Sequence, residues 1–256
     1  MDRIWGWESH SAVPLPLILP GTGAELVFHY GAPFAIREES GERLFPGRTL
    51  VFCLRSHACQ LVATGPVGFM AVRVRGEALR HFAKAPLVSW IDGVVPIEAG
   101  LGCDWTDVPE LLAAASGFRA RVAIIEARLD GYLSQREVRP SLVDQTVAKL
   151  YRSTDSARIA EVAGGLNMSA RHYERLFRDA TGLTPKRFQR VARFHHAMRQ
   201  LLLEKRTNYL GTALECGFYD QAHFIHECRD LTGRSPGELL TRERFLSHFY
   251  NPSLRG

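Results

Sequence analysis

The chain has 256 residues, of which 46% are hydrophobic and 23% charged. These values are typical of a globular protein and argue against disorder. No apolar run approaches the roughly 18 residues of a membrane span, and the segment from Met1 to Trp5 has no secretory-signal pattern. We therefore expect a cytoplasmic protein with no membrane partner.

The net charge of +5 is concentrated at one end of the chain. From Ser141 onward there are 18 Lys and Arg against 12 Asp and Glu, a net of +6. The preceding residues carry 14 against 15, a net of −1. The basic end is consistent with an acidic partner such as nucleic acid, although a solvated surface has the same composition.

The N-terminal half predicts a small antiparallel β-barrel or sandwich. Its β-branched and aromatic segments are separated by Gly and Pro, which favours short strands. The predicted strands are Glu25–Tyr30, Phe34–Glu38, Leu50–Arg55, Gln60–Thr64 and Val67–Arg75. The predicted helices that follow are Gly76–Ala83, Val108–Ala115 and Arg119–Leu133, the last with Val122, Ile125, Leu129 and Leu133 on one face.

The polar segment 135–140, which ends in Pro140, predicts a linker. The predicted organisation is a β-rich sensor or dimerisation domain over 1–134, an all-α domain over 141–248 and a tail over 249–256. The expected fold class is α+β.

A sequence repeat lies in the basic half. The pattern Arg-Asp-x-Thr-Gly-x-(Thr/Ser)-Pro occurs at Arg178–Pro185 and again at Arg229–Pro236, 51 residues later. The same offset aligns His172-Tyr173 with His223-Phe224. Two copies are too few for a solenoid, so the repeat indicates one small unit built twice.

Each copy predicts a helix, a tight turn and a second helix. In the first copy Arg158–Gly164 forms a helix, 165–167 breaks it, Ser169 caps the next helix and Gly182 ends that helix. We expect this second helix to bury His172, Tyr173, Leu176 and Phe177. In the second copy the corresponding features are Leu210–Cys216, the turn 217–219, Asp220 and Gly233.

Helix, turn and helix is the plan in which the second helix lies in the major groove of DNA. Arg can bond guanine, and Gln adenine, through two hydrogen bonds. Between the copies, Pro185–Glu204 predicts one helix whose arginines, Arg187, Arg190 and Arg193, are available for phosphates. Such a spacer could hold the two reading helices about 34 Å apart, which is one turn of DNA.

The segment Gly217–Phe224 with Thr232–Pro236 resembles the signature of the AraC/XylS-type transcriptional regulators, and Met168–Arg178 with Thr181–Pro185 fits the same family. The resemblance covers about the last 110 residues. It implies a DNA-binding domain of about seven helices, with two helix-turn-helix units joined by a long helix. By position it implies base or backbone contacts from these residues: Ser169, Arg171, Glu174, Arg175 and Arg178 in the first unit, and Gln221, Ala222, Ile225, His226 and Arg229 in the second.

The second unit departs from the family pattern. The family has Arg near His226 and an aromatic residue near Cys228, and Glu227 is expected to add negative charge beside the groove. We therefore hypothesise that the first unit dominates specificity.

The N-terminal half is similar to the sensor-like domain of some of these regulators, through Leu19–Phe28 and Val72–Gly76. Arg75 stands where a proline is expected. The similarity implies a small effector or dimerisation, and an apolar pocket could be lined by Trp5, Trp7, His29, Tyr30, Phe52, Phe69 and Trp90. Arg73 and Arg75 alternate on one strand face, where they either meet an anionic effector or are solvated. RNA polymerase and a second copy are further candidate partners.

Other functional classes fit the sequence less well. The five cysteines are scattered and odd in number, which favours free thiols over a disulfide scaffold or zinc finger, although Cys53 and Cys59 could form a redox switch. Cys53, Cys59 and Cys103 lack the spacing of a zinc-bound alkylation-repair site, and no motif indicates catalysis, so we predict no enzyme activity and no cofactor. His223, His226 and Cys228 could form a metal site, but His172 occupies the position of His223 in the other copy, so we predict none.

Overall fold

The computed structural model describes residues 3–38, 41–45, 47–152, 159–203 and 208–240. The expected helix at Arg158–Gly164 therefore begins outside the described residues, and the predicted tail lies wholly outside them. Nine strands occur in the described N-terminal half: β1 (Arg3–Ser9), β2 (Leu17–Ile18), β3 (Gly23–His29), β4 (Phe34–Glu38), β5 (Gly41–Leu44), β6 (Thr49–Phe52), β7 (Cys59–Ala63), β8 (Val67–Arg75) and β9 (Val94–Pro96).

The strands form two antiparallel sheets. One sheet has five strands in the order β1-β8-β3-β6-β9, and the other has four in the order β2-β7-β4-β5. In the larger sheet, β3 pairs with β8 along the whole length of β3, from Gly23 opposite Arg75 to His29 opposite Phe69.

The larger sheet is covered on both faces. Side chains alternate across a strand, so Val27 and Phe69 face the space between the sheets, where they belong to an aromatic-rich core. Leu26 and Met70 face the other way, into a second core shared with the helices. This is why β3 is buried at every position and its sequence shows no polar alternation.

The helices of the N-terminal half pack on the outer face of the larger sheet. They are α1 (Gly76–Leu79), a 3-10 helix (Leu87–Trp90), α2 (Ile97–Leu101), α3 (Val108–Ala114) and α4 (Phe118–Ser134). Ile125 and Leu129 of α4 are buried as predicted, but Leu133 is 40% exposed. Tyr132 and Arg121 complete the buried face instead.

The C-terminal half is helical throughout its described part. It contains α5 (Leu142–Arg152), α6 (Ile159–Gly164), α7 (Ala170–Thr181), α8 (Pro185–Leu203), α9 (Tyr209–Glu215), α10 (Gln221–Thr232) and α11 (Pro236–Leu240). The pairs α6–α7 and α9–α10 are the two helix-turn-helix units, and α8 joins them. Within the described residues, no helix is long and apolar enough to cross a membrane.

The predicted fold class is confirmed, and the errors are local. The strands β4 and β8 have their predicted bounds, whereas β1, β2, β5 and β9 were not predicted. The helix predicted at Gly76–Ala83 ends at Leu79. Residues 136–140 have neither helix nor strand, but the domain bounds themselves stay a prediction.

Candidate nucleic-acid interface

The two repeat copies begin their second helices in the same way. The side chain of Ser169 accepts a hydrogen bond from the backbone N–H of His172 at 3.3 Å, and that of Asp220 accepts one from His223 at 2.7 Å. Both caps satisfy N–H groups that have no partner within the helix. The caps therefore fix where α7 and α10 start.

The helices also end alike. Gly182 and Gly233 have positive φ values of 79° and 71°, and their N–H groups bond the carbonyls of Arg178 and Arg229 at 2.7 Å. The left-handed conformation favours glycine, which explains the repeated Thr-Gly pair. The hydroxyl of Thr181 donates to Phe177 O at 2.9 Å, and that of Thr232 to Cys228 O at 2.6 Å.

The turns inside the two units differ by one residue. Met168 N bonds Ala163 O in the first unit, and Phe218 N bonds Ala213 O in the second, an offset of 50. The caps Ser169 and Asp220 have an offset of 51. The additional residue in the second turn is Tyr219, which is 86% exposed.

The outer face of α7 is strongly basic. The sequence-predicted contact residues of this unit are all exposed: Ser169, Arg171, Glu174, Arg175 and Arg178. Tyr173 and Phe177 are buried against the domain core, as predicted. The prediction that His172 is buried was wrong, because this ring is exposed and lies 3.2 Å from the Arg175 guanidinium.

The outer face of α10 is less basic. Gln221, Ala222, His226 and Arg229 are exposed and Ile225 is half-buried. At the 51-residue offset, Ala222 and His226 occupy the positions of Arg171 and Arg175. Of the three positions that are arginine on the outer face of α7, only one, Arg229, is also arginine on α10.

Glu227 is buried and adds no exposed negative charge to α10, contrary to expectation. It is 8% exposed and faces α8, where its carboxylate bonds Arg190 Nε at 2.5 Å. Arg190 also bonds Asp230, and this hydrogen bond lowers the pKa of Asp230. Sequence periodicity alone missed the pairing because the partner lies 37 residues away.

The three α8 arginines have partners within the protein. Arg190 joins α8 to α10 through Glu227 and Asp230. Arg193 donates to Gly217 O at 3.2 Å and lies over the Phe218 ring, and burial lowers its pKa. Arg187 donates to Ser56 Oγ at 2.8 Å. Arg190 and Arg193 are half-buried and are therefore less available for phosphates than expected, whereas Arg187 is exposed and stays a predicted phosphate contact.

The N-terminal half contacts both helix-turn-helix units. Near the first unit, Arg80 donates two hydrogen bonds of 2.6 Å to the carboxylate of Asp144 in α5, and His81 lies 3.2 Å from the same group. Burial opposes ionisation of Asp144, but the hydrogen bonds from Arg80 and Ser141 lower its pKa. At the second unit, Ala58 N bonds Leu231 O at 2.9 Å.

The interior between the two sheets is nearly filled by aromatic rings. A cavity of about 30 Å³ remains, with Trp5, Trp7, Phe52 and Phe69 in its lining. Of the other aromatics considered for a pocket, His29 packs edge-on against Phe34, Tyr30 bonds Arg121, and Trp90 lies in the core on the opposite face of the sheet.

Charged side chains close one end of this interior. Arg73 is 3% exposed and lies 3.6 Å from Glu25, so it is not solvated, whereas Arg75 is partly exposed beside Glu77. Arg55 is fully buried over the Phe52 ring, and burial lowers its pKa.

The cysteines are free thiols. Burial raises the pKa of Cys53 to about 12 and of Cys59 to about 11, so neither is held as the reactive thiolate at neutral pH. Among the described residues, no three His, Cys, Asp or Glu side chains are grouped so as to hold a metal ion.

Comparison with known proteins agrees with this architecture. Residues 162–242 match the family model described as a helix-turn-helix domain. No curated protein matches the sequence.

The solved structures of ToxT from Vibrio cholerae show the same fold over nearly the whole chain. One crystal form has 10% identity, a TM-score of 0.53, and covers 93% of this chain and 98% of that one. A single-residue variant of ToxT in its apo form has 10% identity, a TM-score of 0.51, and covers 92% and 94%. ToxT bound to (E)-4-(8-methylnaphthalen-1-yl)but-3-enoic acid has 8% identity, a TM-score of 0.53, and covers 92% and 97%. The predicted resemblance is thereby confirmed at the level of the domain and the fold: residues 162–242 form a helix-turn-helix domain, and the chain shares its fold with ToxT.

Proposed function

We propose that this regulator reads two successive major grooves of double-stranded DNA, with α7 in one and α10 in the next. The observation that carries the proposal is that α7 and α10 have the same length, 12 residues, and begin and end with the same kinds of cap. The joining helix α8 has 19 residues, or about 28 Å at the usual rise per residue. This length is of the same order as the roughly 34 Å between successive grooves.

The proposed contacts divide by chemistry. In the first groove, Arg171 and Arg175 supply forked donors for guanine, and Ser169, Glu174 and Arg178 lie beside them. In the second groove, Gln221 can bond adenine, and Ala222, Ile225, His226 and Arg229 complete the surface. We assign Arg190 and Arg193 to holding the second unit on α8, and the exposed Arg187 to a phosphate.

We further propose that a small effector controls DNA binding through the N-terminal half. The support is mechanical. The N-terminal half bonds α5 through Arg80 and Asp144, and α5 in turn bonds the first unit through Thr146 and Tyr173. The N-terminal half bonds the second unit through Ala58 and Leu231. A change of shape in the N-terminal half therefore acts on both reading helices. One chain already holds both helices, so reading two grooves does not require a homodimer. A homodimer and a contact with RNA polymerase stay predictions.

The salt dependence of DNA binding tests the phosphate contacts. Neutralising phosphates releases counterions, so a protein with six such contacts loses about 10³-fold in affinity between 50 and 200 mM salt. We expect a fall of this order in fluorescence-anisotropy titrations of the full chain with a bound duplex. An affinity that hardly changes over this range would contradict groove binding.

A further inference from the structure

A second apolar pocket lies outside the interior between the sheets, and it opens to solvent, since the exposed Leu133 belongs to its lining. It has a volume of about 140 Å³ and is bounded by the outer face of the larger sheet, α1 and α4. Its walls include Leu26, Val72, Phe82, Trp105, Leu129 and Tyr132. It is thus several times larger than the 30 Å³ left between the sheets.

The walls are almost wholly apolar and offer contacts to an aromatic ring. The centroid of the Tyr132 ring lies 5.4 Å from that of Trp105 and 5.8 Å from that of Phe82, and the rings of each pair are inclined to one another. The wall therefore has both ring faces and ring edges against which a bound aromatic molecule can pack. The Tyr132 hydroxyl donates to Leu101 O at 3.1 Å. Burial raises the pKa of Tyr132, which keeps the group neutral.

Water is a poor occupant of such a space. A buried water needs two to four polar partners, and an apolar cavity of about 150 Å³ in another protein stays dry and binds benzene. A charged ligand would lose its hydration with no compensating partner. Volume and lining together select a small, uncharged ring.

We propose that this cavity binds an uncharged single-ring aromatic molecule. Its wall includes Ala78 and Leu79 of α1, and the next residue, Arg80, holds Asp144 of α5. The same helix α5 contacts α7, because the Tyr173 hydroxyl donates to Thr146 Oγ1 at 3.1 Å. The bound ring therefore fixes α1 at the point where the two halves meet. The effector role of this ligand rests on the proposed function, whereas its binding does not.

Calorimetric titration of the full chain with toluene tests the site. We expect saturable binding of one molecule per chain and a raised melting temperature. Ala78→Leu adds three carbons inside the cavity and is expected to weaken toluene at least about tenfold, since the added volume competes with the ring. The matched control Ala127→Leu adds the same atoms at an exposed position of α4 and should bind toluene as the natural chain does.

Benzoate, the charged relative of the same ring, is expected not to bind. No saturable toluene binding, undiminished binding by a folded Ala78→Leu variant, or equal binding of benzoate would overturn the site. Toluene binding that leaves duplex affinity unchanged would overturn the effector role alone. Failure to bind any duplex would refute the proposed function and leave the toluene result standing.

Discussion

His29 is a buried titratable residue whose protonated form is disfavoured in the folded protein. It is fully buried among aromatic rings, and burial lowers its pKa from 6.5 to about 4. Between these values the unfolded chain binds the proton and the folded chain does not, so stability is fully present above pH 6.5 and falls as the pH drops toward 4. The difference corresponds to at most about 3 kcal/mol.

We expect His29→Phe to reduce this loss of stability. Phenylalanine has a similar size and does not titrate, so the free energy of unfolding of the variant should change less between pH 7 and pH 4.5. Urea unfolding at both pH values measures it. His10→Phe is the control, since His10 is exposed. Equal acid sensitivity in the His29 variant and the natural chain would count against the assignment.

The arginines of α7 test whether the first unit dominates specificity. Arg171 and Arg175 are exposed, while their counterparts on α10 are Ala222 and His226. Loss of an arginine bidentate to guanine costs about 1–3 kcal/mol and relaxes preference at that base. We expect Arg171→Ala and Arg175→Ala to lose affinity and base preference in duplex competition, and His226→Ala to lose less. The opposite order would contradict the hypothesis.

At the scale of elements, Arg190 distinguishes a structural role from a DNA contact. It pairs with Glu227, whose side chain is 11% exposed, so Arg190→Ala leaves a largely buried carboxylate without this partner. We expect a loss of about 1–3 kcal/mol in the free energy of unfolding. Adding Glu227→Gln should recover part of it, because the unpaired charge is then removed.

Thermal melting and duplex titration of these variants separate the two roles. If Arg190 contacts phosphate instead, Arg190→Ala keeps its melting temperature. It then weakens binding to all sequences alike and reduces the salt slope by about one.

The elements that the sequence predicted best are those specified by local chemistry. The caps Ser169 and Asp220 and the end glycines Gly182 and Gly233 bond residues of their own helices, so spacing alone reveals them. The bounds of β8 follow in the same way from a run rich in β-branched and other apolar residues, preceded by Gly65-Pro66 and followed by Gly76.

The missed features depend on contacts distant in sequence. The strand β1 alternates weakly and is fixed by pairing with β8 more than 55 residues away, from Arg3 opposite Arg73. The partners of Arg190 and the docking of Arg187 on Ser56 likewise come from the tertiary fold. The 3.6-residue periodicity of a helix indicates which face of that helix a residue occupies. It does not indicate which other segment of the chain packs against that face.

At the scale of the whole molecule, the two halves share a core. One cluster of buried side chains runs from Leu26 and Val72 of the larger sheet to Tyr173 and Phe177 of α7. Leu19 of the N-terminal half belongs to the cluster of the second unit, with Phe224 of α10. Each of the helices α7 and α10 therefore shares a hydrophobic core with residues of the N-terminal half. For this reason the N-terminal half can set the relative orientation of the two helices.

The central claim is that one chain reads two successive major grooves. Selection of bound sequences from a pool of randomised duplexes, using the full chain, tests this most directly. We predict an enriched motif with two clusters of specified bases about 10 base pairs apart, and loss of the first-unit cluster in Arg171→Ala and Arg175→Ala variants. Enrichment of a single cluster, or of no sequence at all, would contradict the account.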